Sequence, residues 1–276
     1  MASAHITLQE AADQLGVHYM TAYKYVRTGR LRASQEGSKW RVKPSDLAAF
    51  RAAEVATRGR RATRTGRARV DYRARLVEPL VTGDEPAAST VVEGAIASGM
   101  SPEVVYLSVL GPAMREIGDR WADGTLTVAE EHQASVVMHR LIGRLGPRMR
   151  RRGRSKGTVV IGAPSGDTHS LPVALFADLL RAQGLAAHDL GADTPAESFR
   201  EAVRDADRLV GVGIGVSRSG NQRAVRQIVA AVRSVADAPI VIGGPAASAA
   251  LARQVGADRS FTETVDALSF FSTTSH

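Results

Sequence analysis

Between Gly162 and Pro172 the sequence reads GAPSGDTHSLP, and its Asp167-Thr-His169 step places a carboxylate two residues before an imidazole. An imidazole can bind a metal through one ring nitrogen. A carboxylate that accepts a hydrogen bond from the other nitrogen fixes the tautomer and raises the ligand's basicity. The same step also fits an ordinary loop histidine, so its meaning depends on its setting. Other chemistries are excluded at once. The chain has no cysteine, hence no disulfide, thiolate metal site or cysteine nucleophile. It contains no G-x-x-x-x-G-K-[ST], H-E-x-x-H or G-x-S-x-G string. Gly211-Val-Gly213-Ile-Gly215 lacks the third-glycine spacing of a dinucleotide loop.

The loop must be held by something, and residues 157–272 alternate strand and helix patterns. Strands are expected at Thr158–Gly162, Ala186–Leu190, Leu209–Val216 and Pro239–Ile242, with helices at Pro172–Gln183, Pro195–Asp205, Gln222–Val235 and Ala247–Val255. That order predicts a doubly wound parallel sheet, Rossmann-like, whose ligands lie beyond the carboxyl ends of the strands. His169 then sits where such a sheet binds.

Upstream, residues 72–149 read as four helices with short connections, a small bundle. They span Tyr72–Thr82, Ala87–Ser98, Ser101 to about Trp121, and Ala129–Arg144, with Gly83-Asp84-Glu85-Pro86 as a breaker and Thr127-x-x-Glu130 as a capping box. Pro147–Lys156 is a basic joint, read as an exposed linker, with DNA contact as a second reading. Residues 1–55 carry another Thr7-x-x-Glu10 box, a helix to Leu15, a break at Gly16 and a second helix over His18–Arg27. A hairpin around Glu36-Gly37-Ser38 and a helix from Pro44-Ser45-Asp46 complete a winged helix-turn-helix. Residues 56–71 form an Arg-, Gly- and Thr-rich linker, and 150–276 the sheet domain.

Composition agrees with this plan. At about 150 residues per domain, 276 residues suggest roughly two large units. Hydrophobic residues are 44% and charged residues 23%, ordinary for a globular chain, and no apolar run nears the ~18 residues needed to span a bilayer. The start lacks the marks of a signal peptide, so a cytoplasmic protein that avoids membranes is expected. Residues 1–75 hold 16 basic and 6 acidic side chains, whereas the remainder holds 20 and 22. The whole positive surplus lies in the head, which suggests a polyanion partner.

Three motif sets carry resemblances. The head string AADQLGVHYMTAYKYVRTGRLRASQEGSKWRVKPSDLAAF resembles the excisionase-type branch of the MerR-like DNA-binding domains. By that resemblance Thr21, Tyr23 and Lys24 lie on a recognition helix in the major groove, and Lys39 and Arg41 on the wing. Asp167-Thr-His169, then Ser217-Arg-Ser219, then Gly243-Gly244-Pro245, resemble the ordered signature of a cobalamin-binding domain, with His169 as the metal ligand. One departure is Pro172 where the signature ends in Gly. In the bundle, Trp121 followed after nine residues by Glu131-His132 resembles the light-sensing, adenosylcobalamin-dependent repressors of the CarH family. There the Trp and Glu cap the upper face of the corrin and cradle the adenosyl group. A second departure is Ala122, where members can carry a histidine after the Trp.

The resemblance implies a non-enzymatic, light-responsive transcriptional regulator, a repressor that binds adenosylcobalamin and operator DNA as a homodimer or homotetramer. Two alternatives stay open: a corrinoid carrier for methyl transfer, and a related regulator of another tetrapyrrole.

Overall fold

The computed structural model describes residues 5–15, 22, 25, 26, 31–36, 39–47, 50, 70–151 and 153–274. The chain separates into two units, 1–70 and 71–276.

In the first unit, the Thr7–Glu10 capping box forms as its spacing predicts. The Glu10 amide donates to Thr7 Oγ1 at 3.2 Å, and the Thr7 amide donates back to Glu10 Oε2 at 2.7 Å. It opens α1 (Leu8–Leu15), whose Leu8, Ala11 and Ala12 are buried with Ala22, Leu31, Val42, Leu47 and Phe50. Strands β2 (Ser34–Glu36) and β3 (Lys39–Val42) pair antiparallel, Glu36 opposite Lys39, as the expected hairpin. A strand absent from the sequence reading, β1 (Ile6–Thr7), pairs with the other edge of β3 and makes the sheet three-stranded. Of the second helix, Ala22, Tyr25 and Val26 are described and helical. The rest of His18–Arg27 and the linker at 56–69 lie outside the described residues.

The second unit opens with the bundle. Helices α2 (Tyr72–Val81) and α3 (Glu85–Ala97) begin at Asp71 and Asp84, whose carboxylates accept the Ala74 and Ala87 amides at 3.0 and 2.9 Å. The expected breaker is therefore shorter than the sequence suggested. Pro86 sits inside the first turn of α3, where its missing N–H is harmless. The helix expected from Ser101 to Trp121 is interrupted. It consists of α4 (Pro102–Val105), a π-helical turn at Tyr106–Leu110, and α5 (Gly111–Ala122). Pro112 cannot donate to the preceding turn and its ring crowds the carbonyl there; the wider turn, with the Gly111 amide bonded to Tyr106 O, relieves both. Helix α6 (Val128–Met149) runs five residues beyond its expected end at Arg144, through Pro147. The carbonyl that Pro147 deprives of a donor belongs to exposed Gly143 and can reach water, while buried Leu145 and Met149 hold the last turns to the core.

The sheet follows: β4 (Thr158–Gly162), α7 (Leu171–Ala182), β5 (Ala186–Asp189), α8 (Ala196–Arg204), β6 (Leu209–Gly215), α9 (Gln222–Arg233), β7 (Ile240–Gly243) and α10 (Ala249–Val255). Two further elements, β8 (Arg259–Phe261) and α11 (Thr264–Thr274), escaped the sequence reading. All five strands are parallel, in the order β5-β4-β6-β7-β8, with β4 buried throughout. Val160 faces a core with α8, α9 and α10. Val159 and Ile161 face a second core, shared with α7, α11 and the bundle.

Bundle and sheet thus share one apolar core, and a buried polar contact crosses it. The Tyr106 hydroxyl donates to Asp178 Oδ2 at 2.8 Å, and Arg181 donates to Asp178 Oδ1 at 2.8 Å. Burial, with the Asp178 charge beside it, pushes the Tyr106 hydroxyl pKa far up, so it remains a donor at every ordinary pH. A Cβ added to Gly146 would lie 2.7 Å from Asp178 Oδ2, so the α6 backbone passes directly over this pair. Tyr106→Phe removes one donor from a buried carboxylate. The expected loss is about 1–3 kcal/mol, read as a lower urea midpoint at unchanged slope.

Candidate functional site

The loop after β4 is fixed from both sides. The Asp167 amide donates to Pro164 O at 2.9 Å, and Gly166 bends the chain with φ +86°. Asp193, in the loop after β5, accepts the Gly166 amide on Oδ1 at 2.7 Å and donates its own amide to Asp167 O at 2.8 Å. Asp193 does this from φ +50°, a region Asp tolerates because its short polar side chain bonds locally.

The loop presents a fully buried carboxylate. Asp167 Oδ2 accepts the Ser217 amide at 2.7 Å and Asn221 Nδ2 at 3.4 Å. Its Oδ1 contacts His169 Nδ1 at 2.7 Å and accepts the His169 amide at 3.3 Å. In the neutral ring, Nδ1 donating to the carboxylate leaves the lone pair on Nε2. The His169 side chain is 46% exposed, so that lone pair sits on an imidazole open to a ligand. Pro172 is exposed in the first turn of α7, so the departure from the signature coincides with the helix start and leaves the His169 turn intact.

The other signature residues stand nearby. Ser217 meets Asp167 through its amide, not its hydroxyl, while Ser219 lies exposed in the following turn. The Val216 amide donates to Gly243 O at 2.7 Å, and the Ala246 amide to Val216 O at 3.1 Å, so the loops after β6 and β7 are bound together. Gly244 has φ +112°, and a Cβ there would lie 2.7 Å from Val216 O; no other residue fits without moving the loop.

On the bundle, Trp121 ends α5 with 47% of its surface exposed. The next helix starts with the predicted capping box: Thr127 Oγ1 accepts the Glu130 amide at 3.3 Å, and Glu130 Oε2 accepts both Thr127 donors at 2.7 Å. These bonds hold the Glu130 carboxyl below its usual pKa. The box fixes the following pair, in which Glu131 meets His132 Nδ1 at 2.8 Å and accepts the Ser135 hydroxyl at 2.7 Å. Among the described residues, neither Trp121 nor Glu131-His132 bonds to the Asp167–His169 loop. His139 does reach it: its Nε2 lies 3.1 Å from the hydroxyl of Ser170, next to His169. His139, Asp193 and Asn221 were not singled out for this site from sequence. The available signals were Asn221's place just before α9 and the tight Gly191-Ala-Asp193-Thr-Pro turn.

In the head, Thr21, Tyr23 and Lys24 lie outside the described residues. Lys39 and Arg41 are on β3, the Lys39 backbone alone being described. Arg41 is half-buried. The Glu10 carboxyl is held below its usual pKa chiefly by the Thr7 donors, with a smaller contribution from the Arg41 charge.

Among the described residues, no group of three or more His, Cys, Asp or Glu side chains can hold a free metal ion. A single imidazole backed by a buried carboxylate instead fits a metal whose equatorial positions a macrocycle already fills. Residues 72–145 match one B12 binding domain family and residues 157–269 a second; residues 6–54 match a helix-turn-helix domain. The chain thus joins a helix-turn-helix domain to two B12 binding domains. The chain is 30% identical over 135 residues to trimethylamine corrinoid protein 1 of Methanosarcina acetivorans, covering 48% of the chain and 62% of that relative. It therefore spans under two thirds of the length of such relatives. It is 33% identical over 153 residues to the HTH-type transcriptional repressor CarH of Myxococcus xanthus, covering 55% of the chain and 49% of that relative. The fold matches the monomethylamine corrinoid protein of Methanosarcina barkeri with TM-score 0.59 at 17% identity, over 70% of this chain and 93% of that one. No helix among the described residues is long and apolar enough to cross a membrane.

Asp167→Ala leaves the Ser217 amide and the Asn221 amide group without their acceptor. A stability loss of about 1–3 kcal/mol by chemical denaturation is expected; an unchanged midpoint would mean that the carboxylate does not organise the loop.

Proposed function

We propose that the chain is a light-responsive, adenosylcobalamin-dependent transcriptional repressor. One observation carries the reading: a helix-turn-helix domain and both B12 binding domains share one polypeptide. When bound, the cofactor supplies a cobalt–carbon bond that light can cleave. His169 Nε2 would ligate the cobalt, with Asp167 holding its ring and tautomer. Ser217, Ser219, Gly243 and Gly244 line the path of the nucleotide tail. Trp121 offers an apolar wall to the adenosyl group, while Glu131, steadied by Ser135 and His132, accepts hydrogen bonds from ribose hydroxyls. Ala122, next to Trp121, has no side-chain group that could ligate a metal.

In the head, Thr21, Tyr23 and Lys24 read the major groove and Lys39 and Arg41 the backbone. Self-association into a dimer or tetramer multiplies the heads and converts weak single-site affinity into avidity. The cofactor acts by its different affinity for the DNA-competent and incompetent states, with no chemical turnover.

A corrinoid carrier for methyl transfer is the second reading, favoured by the identity to trimethylamine corrinoid proteins. A carrier has no use for a DNA-binding head. The deciding experiment adds adenosylcobalamin in the dark, then green light, and follows the absorption spectrum, oligomer size and DNA retention together. A dark complex that dissociates on illumination is expected; DNA binding indifferent to cofactor and light would remove the photosensing role.

Two substitutions address the parts. Trp121→Ala should lower the preference for adenosylcobalamin over hydroxocobalamin by roughly 5- to 150-fold in titrations, and equal loss for both would dismiss the cap. His169→Ala should weaken cobalamin binding and alter the cobalt spectrum, and an unchanged spectrum and affinity would refute the ligand assignment.

A further inference from the structure

The joint Pro147–Lys156 carries six basic residues and no acidic one, while the rest of 76–276 carries 14 basic and 22 acidic residues. Positive charge in this otherwise acidic unit is therefore concentrated in one short stretch. The joint is also ordered where it meets the sheet. Ser155 Oγ accepts the Gly157 and Ala186 amides at 3.1 and 2.9 Å and donates to Gly157 O at 2.7 Å. The Lys156 amide donates to Gly184 O at 2.9 Å, and Arg208 donates to Ser155 O. Arg151 Cδ and Lys156 Cε each lie 3.7 Å from the Cβ position at Gly184, so both stems converge over the turn between α7 and β5.

Arg150, Arg151, Arg154 and Lys156 are exposed, and none pairs with a carboxylate among the described residues. This sets them apart from their neighbours: Arg148 is spoken for by Glu93, and Arg208 by Asp207 at 3.8 Å. Arg151 and Lys156 over the turn, with Arg150 and Arg154 exposed on the same short stretch, form a surface complementary to closely spaced phosphates. Arginine predominates, and its planar fork is the better bidentate phosphate donor.

We propose that this basic edge is a second DNA-contacting surface, which grips the phosphate backbone without reading sequence. The choice of DNA rests on the reading that the head binds it: a chain already held on a duplex presents this edge to phosphates at high effective concentration. The edge lies where β4 begins, and the Asp167–His169 loop lies where β4 ends. Five residues at ~3.3 Å each put roughly 16 Å of strand between them, so phosphate and cofactor can be held together.

The test uses the full chain with Arg150, Arg151, Arg154 and Lys156 all changed to Gln, and a control in which the three arginines become Lys. Affinity for a duplex of unrelated sequence is measured between 50 and 200 mM salt. The Gln variant should bind about tenfold or more weakly at low salt, its log–log salt slope shallower by ~0.9 for each phosphate released. The Lys control should keep the wild-type slope, and both variants should take up cobalamin as wild type does. A head variant, Lys24→Gln with Lys39→Gln and Arg41→Gln, separates the two readings. If the Gln joint variant keeps wild-type affinity and slope while the head variant loses both, the second surface is refuted and the head stands. If the joint variant loses slope and the head variant does not, this surface stands and the head reading falls. Loss of binding to phosphatidylserine vesicles with an unchanged DNA slope would also overturn the proposal, in favour of a membrane surface.

Discussion

A carboxylate removed from water must be given hydrogen-bond donors, and the ligand end of this fold is arranged around that requirement. Asp167 is buried and obtains donors from the loop that carries it, from the Ser217 amide after β6 and from Asn221 at the start of α9. The donors come from two crossings of the sheet, the loop after β4 and the loop between β6 and α9, so one charge draws together segments 50 residues apart. Asp193 repeats the device from the β5 side by clasping Gly166. The imidazole of His169 is aimed as a by-product of this solvation, and loops after four strands share in its aim, since Val216 ties in Gly243. Losing any one of them loosens the ring without touching it.

The bundle depends on a related constraint. Apolar packing joins it to the sheet over a broad area, but apolar contacts do not specify one seating. The Tyr106–Asp178 contact does, because the hydroxyl reaches the carboxylate in only one seating. The π turn contributes here: it contains Tyr106 and is itself a consequence of Pro112 six residues later. A local backbone defect and an inter-layer contact therefore share one cause.

Much of this was legible in the sequence. Both capping boxes formed at Thr7–Glu10 and Thr127–Glu130 because a cap is local chemistry, settled within four residues. The alternation that announced the parallel sheet was equally readable, since β4 is an apolar run closed by Gly162 and β6 alternates Val and Ile with glycine. The failures had non-local causes. The three-residue β8 has too few side chains to show a period, and α11 mixes Ser and Thr with its Phe and Leu, so its burial comes from the sheet it caps. Helix α6 continued through Pro147 because the core rewards Leu145 and Met149, which no propensity reveals. At the site, Asp167 and His169 were visible as a pair, yet Ser217 engages through its amide rather than its hydroxyl. An amide leaves no trace in residue identity.

Asp178 and Arg181 sit one turn apart on α7, so the ion pair that neutralises the buried carboxylate lies wholly on the sheet side. Arg181 is further anchored to Ala187 O of β5 at 3.1 Å. The bundle contributes only a neutral hydroxyl. Were the two layers to part, no charge would be orphaned: the carboxylate would keep its arginine, and water would take the place of Tyr106. Electrostatically, the seam is closer to a press-stud than to a weld, because the bond that specifies the closed arrangement is also one that water can replace on opening.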